Sequence, residues 1–286
     1  MRLTKKISLF AAAAAITAST AVLAAPTFIN VLTGGTSGVY YPIGVALSQL
    51  YSNGIEGSKT SVQATKASVE NLNLLQAGRG ELAFALGDSV SDAWNGVEDA
   101  GFKTPLKKIR AIAGTYPNYI QIVANAESGI KTLEDLKGKR ISVGAPKSGT
   151  ELNARAIFEA AGLSYQDMGK VEFLPYAESV ELIKNRQLDA TLQSSGLGMA
   201  AIRDLASTMK ISFVAIPAEV TAKIDNAAYE AATIPAGTYD GQDADVPTVA
   251  INNILVTHEG VSDEVAYQMT RLMFDNLDRL GTAHSA

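Results

Sequence analysis

The chain has 286 residues, which is long enough for one large domain or two medium-sized ones with a substantial hydrophobic core. Its 24 basic and 29 acidic residues give a formal net charge of −5, and no block of basic residues offsets it, so non-specific binding to nucleic acid or to an anionic membrane is disfavoured. Cysteine is absent, and the two histidines, His258 and His284, are separated in sequence. We therefore expect no disulfide, no metal site and no histidine-based catalytic triad.

The N-terminus has the charge and hydropathy order of a secretory signal peptide. Three basic residues within the first six positions precede an apolar run over residues 7–23, and the small residues Ala24 and Ala25 follow. A membrane anchor is the alternative, but the run contains four Ser and Thr residues and no positively charged stop-transfer segment follows it. Cleavage after Ala24 or Ala25 would leave 21 basic and 29 acidic residues, a net charge of −8. Because no later segment approaches the roughly 18 apolar residues of a membrane span, we expect a protein exported to the periplasm.

Short apolar runs alternate with helical patterns from residue 28 onwards. Strands are predicted over residues 28–32, 61–65, 82–86, 109–116 and 119–124, with a turn at Pro117 and Asn118 between the last two. Helices are predicted over residues 42–51, over residues 68–77 with Ser68 as the N-cap, and after Asp88 and Ser89. This βαβαβ series predicts a mainly parallel sheet with helices on both faces.

A second series of the same kind follows. Strands are predicted over residues 140–144, 171–174, 188–192 and 211–216, and helices over residues 150–161, 179–185 and 199–207. Beyond residue 217, a long strand over residues 249–257 precedes an amphipathic helix over residues 261–280, with Ser262 as its N-cap. We predict an α/β fold of two doubly wound lobes, with a signal peptide over residues 1–25, lobe 1 over residues 26–118 and 222–286, and lobe 2 over residues 119–221.

Four strand-to-helix turns carry polar residues from which a binding site could be built. They are Gly-Gly-Thr-Ser-Gly-Val-Tyr-Tyr at residues 34–41, Asp88-Ser89, Lys-Ser-Gly-Thr-Glu at residues 147–151, and Gln-Ser-Ser-Gly at residues 193–196. In open α/β sheets, ligands bind beyond the carboxyl ends of the strands, and the unpaired N–H groups at a helix start bind anions. Each turn taken singly is equally an ordinary cap or connection. Two of them lie in each predicted lobe, so a cleft between the lobes would bring all four together.

Catalytic motifs are incomplete in this sequence. Residues 144–150 have the glycine spacing of a P-loop without its lysine, and no dinucleotide-binding Gly-x-Gly-x-x-Gly occurs, so no cofactor is expected. Asp88 is more readily a helix cap than a general base. A secreted serine hydrolase using Ser89 or Ser195 stays as an alternative that the lack of a suitable histidine disfavours. We predict a binding protein rather than an enzyme.

Three stretches carry a family resemblance: residues 34–44, residues 147–151, and Ile-Pro-Ala-Gly-Thr-Tyr at residues 234–239. Together they resemble the TAXI solute-binding proteins, the exported receptor subunits of tripartite ATP-independent periplasmic (TRAP) transporters, and the likeness extends over essentially the whole mature chain. The resemblance implies a type II periplasmic-binding fold, in which two α/β lobes joined by crossing strands close on one small ligand. It also implies an ion-gradient-driven membrane permease as the partner, and a small organic anion such as glutamate, 2-oxoglutarate or a similar dicarboxylate as the ligand.

Carried over position by position, the resemblance implies a ligand site drawn from both lobes. From lobe 1 it implies Gly35, Thr36, Gly38, Tyr40, Gln63, Thr65, Ser68, Asp88 and Ser89, and from lobe 2 Gly149, Thr150, Glu151, Ser194, Ser195 and Gly196. No metal or cofactor is implied, and a monomer is expected. A binding protein of the same fold that serves an ABC permease or a sensor kinase is the alternative. The chain departs from the family pattern by ending at Ala286, shortly after a helix, where such proteins usually continue.

Overall fold

A computed structural model of the protein describes residues 26–284. The predicted signal peptide over residues 1–25 lies outside this range. Within residues 26–284, no helix combines the length and the apolar character that crossing a membrane requires.

Ten strands and nine α-helices alternate along the described residues. The strands are β1 (Thr27–Leu32), β2 (Ser58–Gln63), β3 (Leu82–Leu86), β4 (Ile109–Asn125), β5 (Arg140–Ser142), β6 (Lys170–Glu172), β7 (Ala190–Ser195), β8 (Ile211–Val214), β9 (Glu230–Ile234) and β10 (Val246–His258). The helices are α1 (Tyr40–Gly54), α2 (Ser68–Gln76), α3 (Gly87–Asn95), α4 (Gly149–Ala160), α5 (Tyr176–Lys184), α6 (Ala200–Thr208), α7 (Ala218–Thr221), α8 (Asp263–Phe274) and α9 (Leu277–Ala283).

All ten strands belong to one sheet. Its main order is β2-β1-β3-β10-β4-β7-β5-β6, and β8 and β9 pair with β4 and β10. The strands β1–β3 pair in parallel, as do β5–β7, whereas the long strands β4 and β10 run antiparallel to their neighbours. We call the part built on β1–β3 the first half and the part built on β5–β8 the second half. Strand β10 pairs with β3 of the first half, β4 pairs with β7 and β8 of the second half, and β4 and β10 pair with each other. The predicted α/β fold of two doubly wound lobes joined by crossing strands is confirmed, and the lobe boundaries stay a prediction.

Helices cover both faces of the first half because its strand β3 is apolar throughout. The sequence of β3 is Leu-Ala-Phe-Ala-Leu, and all five residues are buried. Phe84 packs in one cluster with Leu47 of α1 and Met269 of α8, whereas its neighbours in β3 pack on the opposite face against Leu72 of α2. The C-terminal helix α8 therefore packs against the first half, on the same face of the sheet as α1.

The prediction of two strands separated by a turn at Pro117 and Asn118 is wrong, because β4 runs unbroken through both residues. Pro117 pairs with Asn252 of β10, and the register of the two strands shifts between Asn252 and Ile254. This irregularity accommodates a residue that has no N–H to donate to the ladder. As a result β4 serves both halves, and Asn118 lies buried in a strand rather than exposed in a turn.

Of the three predicted helix caps, Ser68, Asp88 and Ser262, one is confirmed. Asp88 is not a cap: it is the second residue of α3, which has Leu86 at its N-cap position and no side-chain cap. Ser262 caps α8, where its Oγ accepts a hydrogen bond from Val265 N at 3.4 Å. Ser68 is not a cap: it is the first residue of α2, and Ala67 precedes it. The Ser68 Oγ instead accepts from Leu86 N at 3.1 Å, which ties the start of α2 to the end of β3.

Candidate functional site

A cavity of about 130 Å³ lies where the two halves meet, at the carboxyl ends of the parallel strands. Its volume is below the ~300–1,000 Å³ of sites for drug-sized ligands, which favours a small ligand. Its lining is drawn from Gly34, Gly35, Gly38, Val39, Tyr40, Thr65, Lys66, Ala67, Ser68 and Leu86 in the first half, Asn118 in β4, and Ala145, Ser148, Gly149, Thr150, Pro175, Tyr176, Ser194 and Ser195 in the second half.

Four helices begin at this cavity. The first residues of α1, α2, α4 and α5 are Tyr40, Ser68, Gly149 and Tyr176, and all four line it. Neither α1 nor α2 is capped by a side chain, and at α4 the Ser148 Oγ accepts from Glu151 N at 3.2 Å. Since the first N–H groups of a helix lack intrahelical partners and its N-terminus carries partial positive charge, the convergence of four such ends favours an anion.

Two of these helix starts follow a residue with strained backbone. Ala67, directly before α2, has φ 69° and ψ −147°, a region that is essentially restricted to glycine. Lys147, two residues before α4, has φ 60°, in the left-handed region. Strain of this kind costs about 1–3 kcal/mol per residue and persists where surrounding contacts fix it. At both positions the strained turn directs the chain into a helix start that lines the cavity.

Two tyrosines with buried hydroxyl groups, Tyr40 and Tyr176, line the cavity. Tyr40 stacks on Phe84, with 4.9 Å between ring centroids, and its hydroxyl donates to Asn253 Oδ1 at 2.6 Å. The Tyr176 hydroxyl donates to Ser194 O at 2.6 Å and lies 2.6 Å from Thr150 Oγ1. Burial raises the pKa of both tyrosine hydroxyls, so both are neutral at physiological pH. The two hydroxyls therefore add hydrogen-bonding groups, but no charge, to the cavity lining.

Charge is sparse in the cavity lining. Among the residues named above, none is Asp or Glu, and Lys66 is the one with a permanent charge. Lys66 is exposed, and its backbone N–H donates to Glu70 Oε2 at 2.6 Å. The positive potential inside the cavity therefore comes mainly from helix ends rather than from side chains.

The two halves are in direct contact around the cavity. Ala201 N donates to Ser37 O at 3.3 Å, and Val39 N donates to Ser195 Oγ at 3.4 Å. A glycine at position 149 allows the closest approach, because a Cβ there would lie 2.6 Å from Ser68 Oγ. These contacts define a closed arrangement of the cleft.

The structure brings nine of the fifteen predicted site residues to the cavity: Gly35, Gly38, Tyr40, Thr65, Ser68, Gly149, Thr150, Ser194 and Ser195. The other six, Thr36, Gln63, Asp88, Ser89, Glu151 and Gly196, do not line it. Glu151 instead accepts from Arg155 Nε at 2.7 Å, and Gln63 accepts from Asn30 Nδ2 at 2.9 Å. Asp88 faces a separate polar network between the halves. A ligand-binding role for the nine stays a prediction.

Sequence reasoning missed several lining residues. Tyr176 follows the end of β6 and begins α5, so the rule that selected the other turns would have found it. Asn118 was assigned to a turn, whereas its buried side chain donates to Ser194 Oγ at 2.5 Å. Nothing in the sequence singles out Ala67, since its contribution depends on an unusual backbone conformation.

Solved structures of periplasmic binding proteins share this fold. The protein PhnD1 from Prochlorococcus marinus, in complex with methylphosphonate, is 11% identical with a TM-score of 0.58, over 87% of this chain and 84% of that one. A binding protein component of an ABC phosphonate transporter from Pseudomonas aeruginosa is 11% identical with a TM-score of 0.56, over 91% and 78%. A TRAP periplasmic solute-binding protein from Shewanella oneidensis, with bound succinate, is 12% identical with a TM-score of 0.55, over 91% and 81%.

At such identities the likeness shows the fold, which is that of periplasmic solute-binding proteins. A family model matches the sequence over residues 31–286, so of the described residues only 26–30 lie outside the match. The protein belongs to the NMT1-like family.

Proposed function

We propose that the protein is an extracytoplasmic receptor that binds a small organic anion between its two halves and delivers it to a membrane permease. The observation that carries this proposal is the convergence of the starts of α1, α2, α4 and α5 on one small cavity whose lining contains no Asp or Glu. Two of the similar structures hold methylphosphonate and succinate, both of them small anions. Their chemistry supports an anion here.

Within the dicarboxylates that the TAXI resemblance suggests, the lining favours a 2-oxo acid over an amino acid. Glutamate carries an ammonium group, and a buried ammonium group needs an acceptor of negative charge. No lining residue offers a carboxylate. The 2-oxo group of 2-oxoglutarate instead needs hydrogen-bond donors, which the hydroxyl and amide side chains in the cavity can supply.

A thermal-shift comparison of 2-oxoglutarate with L-glutamate tests the ligand class. A ligand at a hundredfold excess over its dissociation constant adds about 2.7 kcal/mol to the free energy of unfolding. We expect 2-oxoglutarate to raise the melting temperature more than L-glutamate does at equal concentration. A larger shift with L-glutamate would refute the preference, and shifts with neutral sugars or nucleosides alone would refute an anion site.

Substitution Ser148→Asp tests for an anion at the start of α4. Aspartate is as good an N-cap as serine, so α4 should keep its start, although a carboxylate at this buried position should lower the free energy of unfolding. Its negative charge would, however, lie in the cavity lining and repel an anion. Two like unit charges about 4 Å apart repel by ~1 kcal/mol even at the dielectric constant of water, so we expect binding of 2-oxoglutarate, measured by calorimetry, to weaken at least roughly fivefold.

The matched control is Ser262→Asp, at the N-cap of α8. It adds the same charge at the same kind of position, away from the cavity, and should leave affinity and melting temperature unchanged. Equal affinities for the two folded variants would count against an anion held at the start of α4.

The transport partner separates the TRAP assignment from its alternative. A TRAP permease is the partner that the TAXI resemblance implies, whereas one similar structure is a component of an ABC transporter. Cross-linking in intact cells followed by identification of the membrane partner distinguishes them. A serine hydrolase is disfavoured further, because neither His258 nor His284 lines the cavity. Labelling of Ser89 or Ser195 by a fluorophosphonate would revive it.

A further inference from the structure

A buried chain of polar side chains leads from the cavity to the far side of the cleft. Ser194, which lines the cavity, donates from its Oγ to Asn153 Oδ1 at 2.8 Å. Asn153 Nδ2 in turn donates to Asp88 Oδ2 at 2.8 Å. The hydroxyl of Tyr229 donates to the same carboxylate oxygen at 2.7 Å, and Ser89 N donates to Asp88 Oδ1 at 2.6 Å. The Asp88 carboxylate therefore accepts three hydrogen bonds, from a side-chain amide, a tyrosine hydroxyl and a backbone N–H.

This chain joins the two halves of the protein. Asp88 lies at the start of α3, directly after β3 in the first half. Asn153 lies on α4, and Tyr229 packs on the core of the second half. Apart from Ser89, every group that donates to the Asp88 carboxylate belongs to the opposite half. Opening of the cleft would break these bonds and expose Asp88 to water.

We propose that Asp88 is a positioning residue that couples closure of the cleft to protonation, through Asn153 and Ser194. The proposal deepens the proposed function, because the residue it positions, Ser194, lines the ligand cavity. Asp88 itself does not line the cavity, so it acts on the ligand only through its neighbours. It is one of the residues that the sequence predicted for the site, and this role differs from direct contact with the ligand.

In the closed cleft, the surroundings of Asp88 raise the proton affinity of its carboxylate above that of an Asp side chain in water. Asp88 is 2% exposed, and burial raises the pKa of its carboxyl to about 6, although Tyr229, Ser89 N and Asn153 donate to it. Asp92, one turn further along α3, raises the pKa as well. The groove beside Asp88 is lined by Asp92, Asp99, Glu159 and Asp225 against Arg155 and Lys223, an excess of negative charge.

The direction of the pH effect follows from this difference in proton affinity. In the open cleft the carboxyl meets water, where an Asp side chain has a pKa of about 4. The closed form therefore binds the proton more tightly, and closing takes up a proton between these two pKa values. With pKa values of about 6 and about 4, the closed-to-open ratio should rise about fourfold between pH ~8 and pH ~5.5.

Closure can be measured without any ligand. Because the chain has no cysteine, dyes attached at Lys103→Cys in the first half and Asn185→Cys in the second half report their separation by single-molecule energy transfer. Both positions are exposed. We expect the closed population of the ligand-free protein to grow as the pH falls, and Asp88→Asn to abolish the dependence. Asp92→Asn, which changes an acid on the same helix but removes no donor to Asp88, should keep the dependence with a somewhat lower pH midpoint.

A second variant guards against misfolding of Asp88→Asn. Tyr229→Phe keeps the ring and removes one donor to the carboxylate, so the pH midpoint of closure should move upwards. The proposal would be overturned if the closed-to-open ratio of the wild-type protein were the same at pH ~8 and pH ~5.5. It would also be overturned if the Asp88→Asn protein kept the change in that ratio. If 2-oxoglutarate does not bind, the ligand assignment fails while this measurement still decides the role of Asp88.

Discussion

Substitution Gly149→Ala should weaken ligand binding by about 10- to 100-fold, because it forces the two halves apart. A Cβ at this position would lie 2.6 Å from Ser68 Oγ and 2.8 Å from Leu86 Cδ1, both in the opposite half. Ser68 cannot turn away freely, since its Oγ accepts from Leu86 N. Overpacking of this kind costs typically about 1–3 kcal/mol, which the closed form alone would bear. Calorimetric titration with 2-oxoglutarate measures the loss.

Gly35→Ala is the matched control. Gly35 also lines the cavity, but a Cβ there would meet no atom within 4 Å. We expect its affinity to stay close to that of the wild type, and energy transfer between labelled halves to show normal closure. If Gly149→Ala binds as tightly as Gly35→Ala, close contact between Gly149 and Ser68 is not needed for binding.

Substitution Asn71→Leu should lower the free energy of unfolding by about 1–3 kcal/mol. The side chain of Asn71 is fully buried, donates to Thr33 O at 2.7 Å and Phe84 O at 2.8 Å, and accepts from Thr65 Oγ1 at 2.6 Å. Leucine has a similar size but removes the side-chain donor to Phe84 O, whereas Thr33 O and Thr65 Oγ1 keep the 2.7 Å hydrogen bond between them. Each buried polar group left unsatisfied costs about 1–3 kcal/mol. Chemical denaturation monitored by circular dichroism gives the difference.

Asn73→Leu, on the same helix, provides the comparison. Asn73 is exposed, and its side chain donates only to Val69 O of its own helix at 2.8 Å. Exposed substitutions of this kind change stability by no more than about 0.5 kcal/mol. Similar losses for the two variants would show that the Asn71 network contributes little. The distinction matters for the site, because Asn71 holds the chain segments that carry Gly34 and Thr65.

The carboxyl ends of the strands could be located from the sequence because apolar runs and glycine turns mark them. That rule placed Gly35, Thr150 and Ser194 near one another, and all three line the cavity. It failed for Asp88, which also follows a strand but whose carboxylate is engaged by Asn153 and Tyr229. Which side of a turn a side chain faces depends on tertiary partners, and these are not visible in a local pattern.

The course of β4 could not be predicted either. Pro117 is a turn residue by local preference, and only the shifted register of β10 allows it inside a strand. That partner lies far away in sequence, so no window around Pro117 reports it. The same reason explains why Asn118 was missed as a lining residue.

The position of β10 also determines when the sheet can be completed during synthesis of the chain. This strand lies between β3 and β4, yet it is the last strand within residues 26–284, and its Leu255 pairs with Phe84. A growing chain therefore has no partner for the edge of β3 until residue 258 has emerged from the ribosome. Contacts over such separations form slowly, so the unfinished chain stays open. If residues 1–25 direct export as the sequence predicts, this delay keeps the chain in a form that can be threaded through a translocation channel.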